Sequence, residues 1–252
     1  MASPLVSRLF QLRSHARLAL VDDDCARSFS DLLDRAVTIA ALLVDQANLV
    51  PGQRVVLLAS PGAAWVETFF AILLAGGIAV PLSPSYPAAE LAWFAADAGA
   101  SVVIVSADHH ERAAPMSVGR TVLQLEELAR AASLGPNHAT LPILAGTDVA
   151  LLLYTSGTTG KPKGAMITHA NVAIQAEILR GSWAFSQADA LLHALPLHHL
   201  HGLGISLLTS ILAGATTRLL PKFDAARIWD ELASGTITVW MAVPTMYQKL
   251  FE

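Results

Sequence analysis

Short apolar runs alternate with amphipathic stretches along most of this chain. Strands and helices patterned that way can cover their apolar faces only by stacking helices on both sides of mostly parallel sheets. The pattern predicts an α/β fold of layered, mostly parallel sheets flanked by helices, formed as one unit over residues 1–252. A helix over residues 30–47, capped by Ser30, gathers Leu32, Leu33, Ala36, Ile39, Ala40 and Leu43 into one stripe, and Pro51 and Gly52 turn the chain into a strand over 54–59. A helix over 63–74, a buried strand over 78–82, a helix over 88–98 and a strand over 101–106 continue the rhythm. Residues 108–146, interrupted by Pro115, Pro136, Asn137 and Pro142, read as an irregular surface excursion. Strands are expected again over 149–153, 191–195, 216–220 and 237–243.

Composition removes several function classes. With 54% hydrophobic residues and 14% charged, the 252 residues have the means to bury a large core and are too poor in charge for a disordered chain. The net charge is −4 and the basic residues are scattered, so no nucleic-acid footprint exists. The longest apolar stretch, residues 69–82, holds two glycines and falls short of the roughly 20 residues that span a bilayer. Cys25 is alone, which rules out an internal disulfide and fits a structural thiol in a reducing compartment. The first 20 residues carry three arginines and no acid; this slightly resembles a mitochondrial transit peptide, against the ordinary reading of a first helix. The expected compartment is the cytoplasm, with the mitochondrial matrix as the alternative.

The most informative segment runs from Tyr154 to Gly164, Tyr-Thr-Ser-Gly-Thr-Thr-Gly-Lys-Pro-Lys-Gly, after a buried strand and before a helix that Thr168 can cap. Gly157 and Gly160 let backbone N–H groups approach phosphate oxygens; Thr155, Ser156, Thr158 and Thr159 add hydroxyl donors; Lys161 and Lys163 add charge. A Walker A loop needs four residues between its glycines, and here there are two. A flexible linker is the bland alternative, but linkers do not ordinarily sit between a buried strand and a capped helix.

A second constellation, Leu195-Pro-Leu-His-His-Leu-His-Gly202, follows another strand and opens a helical stretch, where backbone N–H groups favour a small anion. His198, His199 and His201 are also metal-ligand types, but no cysteine or acid lies near them in sequence. Packed histidines with satisfied hydrogen bonds are the remaining alternative.

Residues 153–164 closely resemble the phosphate-binding signature of the superfamily of acyl- and aryl-CoA synthetases, peptide-synthetase adenylation domains and luciferases. Leu74-Ala-Gly-Gly-Ile-Ala-Val-Pro-Leu-Ser-Pro-Ser-Tyr-Pro87 and Pro51-Gly-Gln-Arg-Val55 are similar to two further segments of that superfamily, so the resemblance covers nearly the whole chain. It maps His199 and Gly202 onto the family's histidine and glycine near the acyl site, with His198 where the family carries an aromatic residue. The Pro-Leu-His-His-x-His-Gly form, Leu220-Pro-Lys-Phe-Asp224 and Met241-Ala-Val-Pro-Thr-Met-Tyr-Gln-Lys-Leu250 resemble malonyl-CoA synthetases.

The resemblance implies the N-terminal portion of the adenylate-forming fold and an acid–thiol ligase that uses ATP, Mg²⁺ and coenzyme A. A small carboxylate, malonate favoured, would become an acyl-adenylate and then a CoA thioester. Residues 155–163 would hold the pyrophosphate portion, His199 would serve catalysis, and His198, His199, His201 and Gly202 would bind the acid. A synthetase for another short- or medium-chain or aryl acid, and a non-catalytic nucleotide-binding or regulatory module, are the alternatives. Other family parts, an aromatic-Gly-x-Thr-Glu segment, a Thr-Gly-Asp and the mobile domain with its lysine, are expected beyond residue 252. A missing half also accounts for the mean hydropathy of +0.51, through an apolar surface prone to self-association. The 252-residue chain by itself is therefore expected to show no malonate-dependent exchange of pyrophosphate into ATP; exchange above background by the purified chain would refute this.

Overall fold

The computed structural model describes residues 2–135, 140–155 and 162–252. Helix α1 (Pro4–Leu12), capped by Ser3, whose hydroxyl accepts the Val6 N–H at 3.2 Å, occupies the stretch read as an ordinary first helix. There follow β1 (Leu18–Val21), β2 (Ala26–Ser28), α2 (Phe29–Asp45), β3 (Arg54–Leu58), α3 (Ala63–Leu74), β4 (Ile78–Pro81), α4 (Ala88–Asp97) and β5 (Ala100–Val105). Next come α5 (His110–Ser117), β6 (Thr121–Gln124), α6 (Leu125–Ala132), β7 (Val149–Thr155), β8 (Lys163–Thr168), α7 (His169–Ser182) and β9 (Ala190–His193). A π-helical segment, His201–Leu208, runs into α8 (Thr209–Ala213), and β10 (Thr216–Leu219), α9 (Ala225–Ala233), β11 (Val239–Trp240) and α10 (Pro244–Leu250) complete the order.

The strands form two sheets. One is ordered β6-β5-β3-β4-β7-β8 and the other β11-β9-β10-β1-β2; each is parallel except for its last member, β8 and β2 respectively, which pairs antiparallel. Strand alternation splits the packing. Val55 and Leu57 of β3 face a core shared with α1, α2, α3, α8 and Leu20 and Leu219 of the second sheet, whereas Val56 and Leu58 face α4 and α5. Leu192 and Leu220 cover the far side of the second sheet against Ile228 of α9.

Helix α3 sits in the middle of this stack. Eleven of its twelve residues are buried, Ala64 being the exception, so it has no solvent face. Its one charge, Glu67, is fully buried and is met from two other elements: Arg27 Nε of β2 donates to Oε1 at 2.9 Å, and Arg35 Nε of α2 lies 2.7 Å from the same oxygen as an ion pair. The carboxylate therefore ties β2 and α2 to α3.

Several expectations are corrected. Helix α2 is capped by Ser28, not Ser30: the Ser28 hydroxyl accepts the Asp31 N–H at 3.0 Å while Asp31 accepts the Ser28 N–H at 3.2 Å. Much of the supposed excursion 108–146 is ordered as α5, β6 and α6, and β6 extends the first sheet beside β5. Short half-buried β6 lacks an apolar run, and Pro115 suggested a break where α5 tolerates a proline in its last turn. Strand β8 was not anticipated at all, because four of its six residues are exposed on a sheet edge. The strand expected over 237–243 shrinks to the two-residue edge strand β11 before Pro244 opens α10.

Cys25 is half-buried and in no disulfide; burial, with Asp22 beside it, pushes its thiol up to about 11, consistent with an unreactive structural thiol. No described helix is long and apolar enough to cross a membrane. Large apolar side chains stand exposed at Met166, Ile174, Ile178, Trp183 and Phe251. Glu67→Ala would leave two arginines facing a buried void, and urea unfolding should register a loss of about 3 kcal/mol.

Candidate active site

In parallel sheets ligands collect beyond the carboxyl ends of the strands, and both sheets deliver those ends to one place. A cleft of about 430 Å³ is walled on one side by the turns after β3, β4 and β5, including Ser60, Ser83 and His109, and on the other by the turns after β9 and β10, including His198, Lys222 and Phe223. Strand order reverses at this point in the first sheet: the chain steps from β3 to β4 on one side, then crosses back to β5 on the other. The walls are mainly apolar with a few polar groups. Ser83 Oγ lies 2.7 Å from Ser85 Oγ, and Ser60 Oγ lies 3.2 Å from His109 Nε2.

The histidine segment forms part of this wall. His198 lines the cleft with its ring edge against Tyr86, 5.7 Å between centroids, and His199 is exposed and packs on His198 at 4.0 Å. Burial, reinforced by neighbouring His199, lowers His198 to about 4, so its ring is neutral at pH 7 and acts as a hydrogen-bonding group rather than a cation; His199, exposed but partly desolvated where it packs on His198, is also lowered. His201 is half-buried and opens the π-helical segment, a geometry that recurs at functional sites. Gly202 is buried for a steric reason. A Cβ there would come within 2.2 Å of the Pro196 carbonyl oxygen, so no side chain fits.

The phosphate-loop reading meets a different geometry. Ser156, Gly157, Thr158, Thr159, Gly160 and Lys161 lie outside the described residues. Their flanks are described: Thr155 and Lys163 are cross-strand neighbours in the β7–β8 pair, and the Thr155 hydroxyl is 3.5 Å from the Lys163 carbonyl. The segment therefore joins two antiparallel strands instead of leading straight into a helix. Thr168 does cap α7, in a reciprocal box with Asn171, but at the far end of β8 from Lys163. At β7, the Tyr154 hydroxyl donates to Asp97 at 2.7 Å, and burial, with Asp97 adding, raises the phenol well above its usual range. Tyr154 packs on Phe94, Phe94 on Tyr86 and Tyr86 on His198, at 4.6, 5.2 and 5.7 Å, so aromatic rings join the strand leading into the loop to the histidine wall.

Sequence reasoning gave no role to Ser60, Ser83, His109, His193 or Lys222. What they share is a position at or just past the end of a parallel strand, a signal that becomes readable once strand ends are known. Among the described residues no group of three or more His, Cys, Asp or Glu side chains is placed to hold a metal ion.

Two mostly parallel sheets, flanked by helices and converging on one cleft, define the class, the N-terminal portion of an adenylate-forming enzyme. The model of the AMP-binding enzyme family matches residues 11–252, and the chain belongs to that family. It is 36% identical over 247 residues to the mitochondrial malonate–CoA ligase of Mus musculus, covering 94% of this chain and 42% of that one. It is also 36% identical over 219 residues to a feruloyl-CoA synthase of an Amycolatopsis species, covering 86% and 44%. Among solved structures, ATP-bound MatB of Rhodopseudomonas palustris superposes with a TM-score of 0.90 at 34% identity, over 100% of this chain and 51% of MatB. The chain thus spans about half the length of these relatives or somewhat less.

His193 is lowered to about 4, as His198 is, by burial. Above about pH 6.5 these histidines are neutral folded or unfolded, but between about 6.5 and 4 the unfolded chain takes up protons that the folded one refuses. Stability should therefore fall as pH drops through that window, measured as a declining urea midpoint; a midpoint flat from pH 7 to 4.5 would contradict the burial of these rings.

Proposed function

We propose that this chain forms the nucleotide and acid half of an ATP-dependent carboxylate–CoA ligase, with malonate the favoured acid. The observation that carries the reading is the cleft itself: strand ends of both sheets wall it, with the neutral imidazole of His198 on one side and the flanks of a phosphate-type turn joined to that wall by tilted and edge-on aromatic contacts. In the proposed roles, Thr155, Ser156, Gly157, Thr158, Thr159, Gly160, Lys161 and Lys163 grip the polyphosphate of ATP. His199 serves catalysis, and His198, His199, His201 and Gly202 bind the acid.

The chemistry needs no protein nucleophile. A carboxylate oxygen attacks the α-phosphorus as pyrophosphate leaves; the thiol of coenzyme A then attacks the activated carbonyl as AMP leaves. What the protein contributes is the alignment of two anions and the donors that make their approach tolerable. Mg²⁺ would offset polyphosphate charge when bound. The cytoplasm remains our proposed compartment, with the mitochondrial matrix the alternative that a mitochondrial relative supports.

A second reading, an aryl or longer-chain acid, is favoured by one observation, the 36% identity to a feruloyl-CoA synthase over most of the chain. Competition separates the two. In the presence of ATP, malonate should displace a bound reporter acid at about tenfold lower concentration than butyrate or ferulate, a difference of about 1.4 kcal/mol; preference for ferulate would transfer the assignment to the second reading. His201→Leu should erode the preference for malonate over butyrate, because a buried second carboxylate is costly without donors. An unchanged ratio would remove His201 from the acid site.

A further inference from the structure

The wall that carries His198 is closed by a residue the proposed chemistry does not use. His193, the last residue of β9, is fully buried, and its Nε2–H donates to the carbonyl of Gly202, nine residues on, at 2.8 Å. Its own carbonyl accepts the Leu220 N–H at 2.8 Å, anchoring the near end of the segment to the turn after β10. Between these anchors lie Pro196, Leu197 and His198. Gly202 is in contact with the Pro196 carbonyl, and the same carbonyl accepts the His199 N–H at 3.3 Å, so the segment folds back on itself where the His193 ring meets it.

An apolar side chain at position 193 would fill the space as well, but it would leave the buried Gly202 carbonyl without this donor. Burial keeps the ring neutral, and a neutral imidazole carries its proton on one nitrogen; the hydrogen bond to Gly202 puts it on Nε2. Nδ1 then has only a lone pair, and no donor reaches it among the described residues. Among the described residues His201 also bears on the ring, and its proximity disfavours protonation of His193.

We propose that His193 is a positioning residue, whose hydrogen bond to Gly202 holds residues 194–202 as the cleft wall and so seats the His198 imidazole in the cleft. The proposal rests on the carboxylate-site reading for what the wall serves, and on the hydrogen bond and the Gly202 contact alone for how the wall is held.

The test uses the whole chain uniformly labelled with ¹⁵N, as wild type, His193→Gln, which keeps an N–H donor at similar reach, and His193→Leu, which keeps bulk without a donor. In wild type and His193→Gln the His198 ring should titrate near 4, as its burial dictates. In His193→Leu its midpoint should rise toward the ordinary value of about 6.5 as the ring leaves the cleft. Malonate, added as the probe, should perturb His198 in the first two proteins and need roughly tenfold more in the third, the effect of about one lost hydrogen bond. Perturbations of Thr155 and Lys163 by ATP should be alike in all three. A His198 midpoint unmoved in His193→Leu, or equally displaced in His193→Gln, overturns the proposal. If His193→Leu does not fold, Gly202→Ala, which opens the same closure from the Pro196 side, supplies the reading. Malonate without effect on the wild type would count against the carboxylate site, while the titration would still decide the role of His193.

Discussion

The structure depends on burying α3 on every side. A helix without a solvent face must be covered by both sheets' helical layers, and Ala63–Leu74 supplies the apolar surface that makes this favourable. Its one carboxylate turns coverage into registry. Glu67 is stable only where Arg27 and Arg35 reach it, so β2 and α2 cannot slide relative to α3 without stranding a charge. Since β2 belongs to the second sheet and α3 follows a strand of the first, that pairing fixes how the two sheets present their ends.

The cleft is a consequence of that arrangement. Parallel strands all leave their sheet at the same edge, and two sheets held in fixed relation bring those edges together. The turns there, not the strands, carry the polar groups: Ser83 after β4, His198 after β9, Lys222 after β10. His198 lies among apolar and aromatic neighbours that keep it neutral, which suits a hydrogen-bonding wall better than a cationic one. The π-helical turn beginning at His201 and the bare Cα of Gly202 let the chain double back closely enough to place that ring.

Much of this was legible in the sequence, and the failures have physical causes. The helix over 63–74 is bounded correctly because the apolar run from Phe69 leads straight to a pair of glycines, and Thr168 reads as a cap because a hydroxyl residue precedes a helical pattern. Strand β8 escaped notice because an exposed edge strand carries no apolar run, and that omission turned a strand-to-strand turn into a supposed strand-to-helix turn. Pro115 suggested irregularity where a short helix accommodates it. The glycine, hydroxyl and lysine pattern and the histidine cluster are visible in the sequence as residue types; Ser60, His109 and His193 are not, since nothing in their local sequence separates them from ordinary residues.

The sequence alone settled the layered α/β class and the membership of the AMP-binding enzyme family, because periodicity and local motif chemistry are written in consecutive residues. Tertiary structure decided which histidine faces the cleft, that His193 holds Gly202, that Glu67 has two arginine partners, and that the loop bridges antiparallel strands. These depend on which distant elements come into contact, and buried polar groups choose their partners only after the chain has packed.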